Sequence, residues 1–498
     1  MNRLHKLSYG SLTGPRYGLK IRTIAPRNVR KLSHSTNHSQ SRVLQNHRFS
    51  STLAPSYHAL TYSSTGSPSS VINFEESLPA PLPPTKHHAS RGTLKSFIKS
   101  QYEAGNTGDY SWSVLNKYAE TNEMIWSSGL AFDDSEIEVQ PLASAVNTAD
   151  LNTISGTYPI KPSFMTDSNH SYSIPGSEFV GLITSSNSSN SDLQPGSLVL
   201  PRTVGLGSWS SHLPPLPAYH FIPVSSITTS PNPSILTLLG MQINPSSAYL
   251  MLRNYVPLSS SSTIILTAGK SGVSTAAAVI AKRLYGASVI SVIRRKSLSD
   301  TEWSTFTESY KSTYNVDMVL SEESVTRTPP KKLIDKVQSL TGEIPLILDC
   351  VGGKIGSLLN LTLSRNGCHV TYGGLSREPL KLRAGGSIFS NTSHHGFWLT
   401  RWTNYEEWGR WWSSTNPGEL LVKKMDERVE MLRDIYRLVE EEESLVLPET
   451  KLYHLSDYET AFGMVGKGYK VAFDCRLDDD DNEEEEGKEE EENEGKKE

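Results

Sequence analysis

The run Ala268-Gly269-Lys270-Ser271-Gly272-Val273-Ser274 has the residue types and spacing to hold a phosphate. A short apolar segment, Ser262 to Thr267 (STIILT), precedes it, and an Ala-rich helical stretch from Val273 to Tyr285 follows at once. Gly269 and Gly272 permit a tight turn and close backbone approach to a pyrophosphate, and the first N–H groups of the helix, at the positive end of its dipole, face the anion. A full G-x-G-x-x-G is missing, so it is the strand before and the helix after that point to a dinucleotide. A second apolar segment, Ser288 to Ile293 (SVISVI), ends in Arg294-Arg295-Lys296, with Arg294 22 positions beyond Gly272. Folds that prefer NAD place an Asp or Glu there against the ribose hydroxyls. A cationic cluster suits the 2′-phosphate of NADP, which Arg bonds in bidentate fashion. Taken alone the three cations would be a solvated loop; after a buried strand they make NADPH the expected cofactor.

Such a site needs a sheet to hold it. Short apolar segments, Ser262–Thr267, Ser288–Ile293, Pro345–Val351 (PLILDCV) and Cys368–Tyr372 (CHVTY), alternate with helical ones, which implies parallel βαβ units in a doubly wound sheet. Ile235–Leu252 is apolar at helical spacing with a Pro near its middle. The first half is rich in strands and loops: Tyr57–Thr61, Glu136–Ala145, 179–184 (FVGLIT) and 197–200 (SLVL) read as strands, and 63–92 as loop. A helix is expected over Gly92–Tyr102 within a block, 86–130, that reads as an insertion. Beyond Phe397 the chain is Trp-rich, then helical over Gly418–Glu443, and ends in a strand, Tyr469–Phe473. The nucleotide fold is therefore flanked on both sides by other material.

Charge is segregated along the 498 residues. Asp478 to Glu498 holds fourteen acidic residues and three lysines, a local net of −11 against −5 for the whole, so the remainder carries +6. Such a run has no apolar face to bury and is expected to be a solvated tail over 477–498. No Asp or Glu precedes Glu75, while residues 1–50 carry seven Arg and three Lys. That composition reads as a mitochondrial transit peptide over 1–52. No stretch of about 18 apolar residues is present to span a membrane, and no nucleic-acid motif appears. The three cysteines, Cys350, Cys368 and Cys475, lack CxxC spacing, which argues against a disulfide framework and a four-Cys zinc lobe.

Several blocks, in order over roughly 56–400, resemble the mitochondrial 2-enoyl thioester reductases, a zinc-free branch of the medium-chain dehydrogenases/reductases. They are Asn147-Thr148-Ala149-Asp150 with Gly156-Thr157-Tyr158-Pro159; Gly205 to Trp209 (GLGSW); Asn244 to Tyr249 (NPSSAY); Cys350 to Lys354 (CVGGK); Thr371 to Leu375 (TYGGL); and Gly396 to Leu399 (GFWL). The family's NSGVG turn reads Lys270 to Ser274 here, so its last Gly is a Ser, which can still donate to phosphate but narrows the backbone approach. The resemblance implies an α/β fold with a Rossmann sheet (240–396) inserted in a strand-rich GroES-like catalytic domain (53–239 and 397–476). It also implies a homodimer joined through sheet edges, in the mitochondrial matrix.

Reducing a C2=C3 bond conjugated to a thioester takes hydride at C3, a proton at C2 and stabilisation of an enolate oxygen. By resemblance Tyr158 is the acid, and a phenol of pKa near 10 carries its proton at neutral pH. Trp398 is the second catalytic-site candidate, expected to line the acyl pocket or back the nicotinamide. Five of the nine tryptophans fall between 398 and 412, suiting an apolar channel or, for the last four, the cover of an inserted loop over 403–417. The resemblance further assigns Asn244, Ser271, Gly272, Val273, Arg294 and Lys296 to the cofactor, and the turn and the cation cluster add Ser274 and Arg295. Tyr372, Gly373, Gly374, Leu375, Phe397 and Leu399 follow on its nicotinamide side, and Lys470 is matched through the C-terminal strand. No metal is expected. The substrate would be a 2-enoyl group on acyl carrier protein or coenzyme A; a zinc-free quinone oxidoreductase and a non-catalytic NADPH-binding regulator or scaffold are the rivals.

Overall fold

Parallel strands buried on both faces read as continuous apolar runs, because helices must cover each side. In the computed structural model, which describes residues 57–78, 135–160, 165–166, 171–202, 204–340, 343–403, 417–441, 443–445 and 447–476, Ser262–Leu266 is buried at every position. It lies inside a six-stranded sheet in the order Met318–Ser321, Ser288–Ile293, Ser262–Leu266, Glu343–Asp349, Cys368–Thr371, Ser393–Gly396. Every neighbouring pair is parallel. Counted along the chain this is 3-2-1-4-5-6, the doubly wound order whose crevice opens beyond the carboxyl ends of the first and fourth strands.

The chain on either side of that sheet builds a second one. Its order is Thr450–His454, Lys470–Asp474, Glu136–Val146, Phe179–Ser186, Leu198–Pro201, Phe221–Pro223, with Leu216–Pro217 on the start of Glu136–Val146. Only the first pair is parallel. Val471 stands opposite Val146, so the segment after the nucleotide fold returns to pair with the segment before it. The nucleotide-binding sheet is thus an insertion within a strand-rich domain, as the sequence implies.

Three elements differ from the reading above. Residues 63–92 are not all loop: Pro68–Val71 is a helical turn and Asn73–Leu78 a strand antiparallel to Tyr57–Thr61. The strand's NFEESL has no clean alternation, so pairing rather than pattern creates it. Ile235–Leu252 divides into Ile235–Gly240 and Asn244–Asn254, with Pro245 in the first turn of the second, where its missing N–H costs nothing. Ser393–Gly396 (SHHG) is a strand without an apolar residue, exposed throughout at the sheet edge. The leader, the helix expected over Gly92–Tyr102, the block 86–130, residues 404–416 and the acidic tail lie outside the described residues.

Candidate active site

The dinucleotide turn sits where the first strand ends. Ala268 adopts φ +49°, a left-handed conformation uncommon for a residue with a Cβ. A Cβ on Gly269 would come within 2.7 Å of Ile293 Cγ1, and one on Gly272 within 2.6 Å of Asn244 Nδ2. Gly269 is therefore held to glycine by close approach, while at Gly272 the Asn244 amide lies against the helix start and would have to swing aside for a side chain. Ser271 is the N-cap of Gly272–Ile280, its Oγ accepting from Ser274 N at 3.3 Å. The Gly272 and Val273 N–H groups open the helix, where no preceding turn supplies carbonyl partners.

Ser274 faces away from where a phosphate would lie. Its buried hydroxyl donates to Thr267 O (2.7 Å) and lies 3.0 Å from Tyr372 Oη, so the expected donation to phosphate by this side chain is not available. The Ser instead ties the helix start to the ends of two strands. Gly373 packs on Cys350, where a Cβ would meet Sγ at 2.6 Å, and Leu375 is exposed. Beneath them lies a set that no sequence signal marked. Asp349 accepts from Thr267 Oγ1 (2.8 Å), Val351 N (2.9 Å) and Gly352 N (3.0 Å), and pairs with His369 Nε2 at 3.0 Å. Burial works to raise this carboxyl, yet the His369 bond and the Gly352 N–H hold it below the usual range. The network locks the ends of the first and fourth strands to the fifth strand.

The three cations after the second strand part company. Arg294 is largely exposed and its Nε bonds Glu322 at 3.0 Å. Lys296, at φ +56°, is exposed. Arg295 turns to Leu298 O (2.9 Å) and Asp300 (2.5 Å), which makes it a brace for the following helix rather than a free phosphate ligand.

Across the crevice, Tyr158 hangs from a short loop. Asn147 and Asp150 form a capping box on Thr148–Ile154. Past that helix the chain turns at Gly156 (φ +74°), and the N–H groups of Thr157 and Tyr158 both donate to Asn152 O, at 2.9 and 3.1 Å. The Tyr158 hydroxyl accepts from Trp398 Nε1 at 2.7 Å, with the rings 5.8 Å apart and nearly perpendicular. Trp398 follows the sixth strand, whose end is tied by Phe397 N to Thr371 O. The pair therefore joins the two folds, and the Trp398 N–H meets the phenol oxygen directly. Burial raises the Tyr158 pKa, so it remains a proton donor throughout the physiological range. Leu399 is only partly buried against the core.

Lys470 does not reach the crevice as a free cation. It is buried, ion-paired with Glu178 and 3.3 Å from Asn147 Oδ1, while Asn147 Nδ2 donates to Glu178 at 2.9 Å. This bolts the C-terminal strand to the N-cap of the helix that carries Tyr158. Asp150 beside it is raised to about 6, chiefly by burial. A carboxyl whose folded pKa exceeds its unfolded value contributes stability that is complete below the unfolded value, 3.8, and lost as pH rises through about 6. The shift corresponds to about 3 kcal/mol. The advantage of Asp150→Asn over wild type should therefore grow as pH rises from about 4 to about 6 and level off above that in denaturant titrations; a difference that does not grow across that window counts against it.

A Rossmann sheet inserted in a strand-rich domain, with the site in the crevice between them, defines a medium-chain dehydrogenase/reductase. No protein-family model matches the chain. It is 31% identical to the mitochondrial enoyl-[acyl-carrier-protein] reductase of Schizosaccharomyces pombe over 61% of this chain and 76% of that protein. It is 32% identical to that of Rattus norvegicus over 60% of this chain and 72% of that one. The chain belongs to the mitochondrial enoyl-[acyl-carrier-protein] reductase family. Its fold is that of the enoyl thioester reductase of Candida tropicalis, at TM-score 0.62 and 24% identity over 84% of this chain and all of that one.

Proposed function

We propose that the chain is an NADPH-dependent reductase of 2-enoyl thioesters in mitochondrial fatty acid synthesis, with Tyr158 supplying or relaying the C2 proton. The observation that carries this is the Trp398–Tyr158 hydrogen bond beside a dinucleotide turn. NADPH fits the residues present: a crowded Gly269, a Gly272 against the Asn244 amide, a helix start, and an exposed Arg294 and Lys296 at the end of the second strand. When bound, the cofactor supplies hydride for C3. Asn244, Ser271, Gly272 and Val273 would hold it at the turn, with Tyr372, Gly373 and Gly374 on the nicotinamide side. The Trp398 N–H, by donating to the phenol oxygen, favours the phenolate left once the proton has gone to C2. The Etr1p/NADP/crotonyl-CoA complex, from a structure sharing the fold, supports this substrate and cofactor class. A relative named NADPH quinone oxidoreductase, 27% identical, keeps one rival in view, but quinone reduction has no need of the Tyr158 acid. NADPH oxidation with crotonyl thioesters and with quinones separates the two: turnover of quinones alone overturns the proposal.

The relatives' mitochondrial names and the basic, acid-poor start support a transit peptide over 1–52 and work in the matrix. A fluorescent fusion of residues 1–60 that stays cytosolic contradicts this. The catalytic domain then comprises 53–239 and 397–476, and the NADPH domain 240–396. The protein is a homodimer joined at the Ser393–Gly396 edge, which is exposed beside a helix, Ala384–Phe389, presenting Ile388 and Phe389 to solvent. Unpaired edges of this kind invite pairing. Light scattering should give twice the chain mass at micromolar concentration, and a monomer mass refutes the assembly.

A further inference from the structure

The helix Asp300–Tyr314 carries an aromatic face: Trp303, Phe306, Tyr310 and Tyr314 stack in sequence with ring centroids 5.6, 5.7 and 4.9 Å apart. Residues spaced three and four apart share one side of a helix, and this side faces the dinucleotide turn. Tyr310 is buried, and its hydroxyl donates to Gly269 O at 2.5 Å, with Ser291 Oγ at 3.4 Å. One turn earlier, the Phe306 ring lies under Lys270 Nζ at 5.2 Å. The Gly269 N–H is in turn held by Val292 O at 3.0 Å. Both polar groups of Gly269 are therefore fixed by the second strand and the helix after it, next to Ala268 in its left-handed conformation. Burial pushes the Tyr310 phenol up to about 12, which keeps it a donor at any working pH.

We propose that Tyr310 is a positioning residue for the cofactor, holding Gly269 from outside so that the turn keeps the bend that aims the Gly272 and Val273 N–H groups at a pyrophosphate. Phe306 supports it by fixing Lys270 on the same turn. This rests on the NADPH reading above. The hydroxyl is buried against the Gly269 carbonyl, with Ser291 Oγ a longer second partner, so its effect is transmitted chiefly through that carbonyl. Loosening that carbonyl leaves the 2′-phosphate site at Arg294 and Lys296 unaltered, because those residues follow the strand directly.

The test compares two ligands on the full chain. Tyr310→Phe should weaken NADPH binding, followed by fluorescence titration, by about 3–10-fold, the worth of one net hydrogen bond. Binding of adenosine 2′-monophosphate, which has no pyrophosphate, should stay within about twofold by the same reckoning, as should kcat at saturating NADPH. Equal losses for both ligands, or none for NADPH, overturn the proposal. If Tyr310→Phe does not fold, Phe306→Leu decides: a smaller loss confined to NADPH supports it, and unchanged NADPH binding overturns it. Wild-type protein that fails to bind NADPH overturns the cofactor reading as well, whereas wild-type binding with an unchanged Tyr310→Phe overturns this inference alone.

Discussion

Tyr158→Phe should lower kcat on a 2-enoyl thioester by about 10²–10⁴-fold, the usual cost of losing a general acid. The ring keeps its edge-on contact with Trp398, so packing is preserved and only the hydroxyl goes. NADPH binding should change little, because the phenol faces Trp398 across the crevice from the turn. The loss therefore belongs on kcat and, equally, on kcat/KM for the thioester. A second consequence follows from the direction of the hydrogen bond. Trp398 donates to Tyr158, so Phe leaves the half-buried indole N–H without this acceptor, at about 1–3 kcal/mol of local desolvation. A modest fall in stability should accompany the kinetic loss. Water can still protonate an enolate, so residual turnover and altered stereochemistry at C2 are expected. Near wild-type kcat in the Phe variant would make Tyr158 a packing residue and favour the quinone reading.

The cofactor fold was legible in the sequence because its determinants are local. A parallel strand covered on both faces must be a continuous apolar run, and the turn after it needs glycine at 269, where Ile293 crowds in. What escaped was made by contacts between distant segments. Asp349, His369 and Thr267 form one buried network, yet they come from three different strand segments and share no spacing. Glu178 and Asn147 meet Lys470 only because the last strand pairs with the segment near the start. Tyr310 looks in sequence like any aromatic on an amphipathic helix. Tyr158 itself was reached through the resemblance; its residue type in a loop carries no catalytic mark, and only the Trp398 bond gives it one. Ser274 shows the opposite failure, where a residue at the right place in the turn points its side chain into the protein.

Replacing Arg294 and Lys296 together with Ala should weaken NADPH by about 30-fold or more while NADH changes by less than about threefold, at about 1–3 kcal/mol for each hydrogen bond to a charged group. Both side chains stand exposed at the end of the second strand, where an adenosine ribose would lie in a fold of this order. Arg295 is left in place because its guanidinium already holds Leu298 O and Asp300, and removing it would unsettle the helix start instead. The structure also sets a ceiling. Arg294 is paired with Glu322, a mostly buried carboxylate, so a 2′-phosphate must share the guanidinium with an existing anion. The loss on removing Arg294 should accordingly fall in the lower half of the range, and Glu322→Gln should tighten NADPH without affecting NADH. Both effects should shrink as salt rises, since exposed charges are screened over about 8–10 Å at moderate ionic strength. Equal losses for NADPH and NADH in the double variant would show that these cations serve the fold and not the phosphate, and would remove the physical ground for NADPH over NADH.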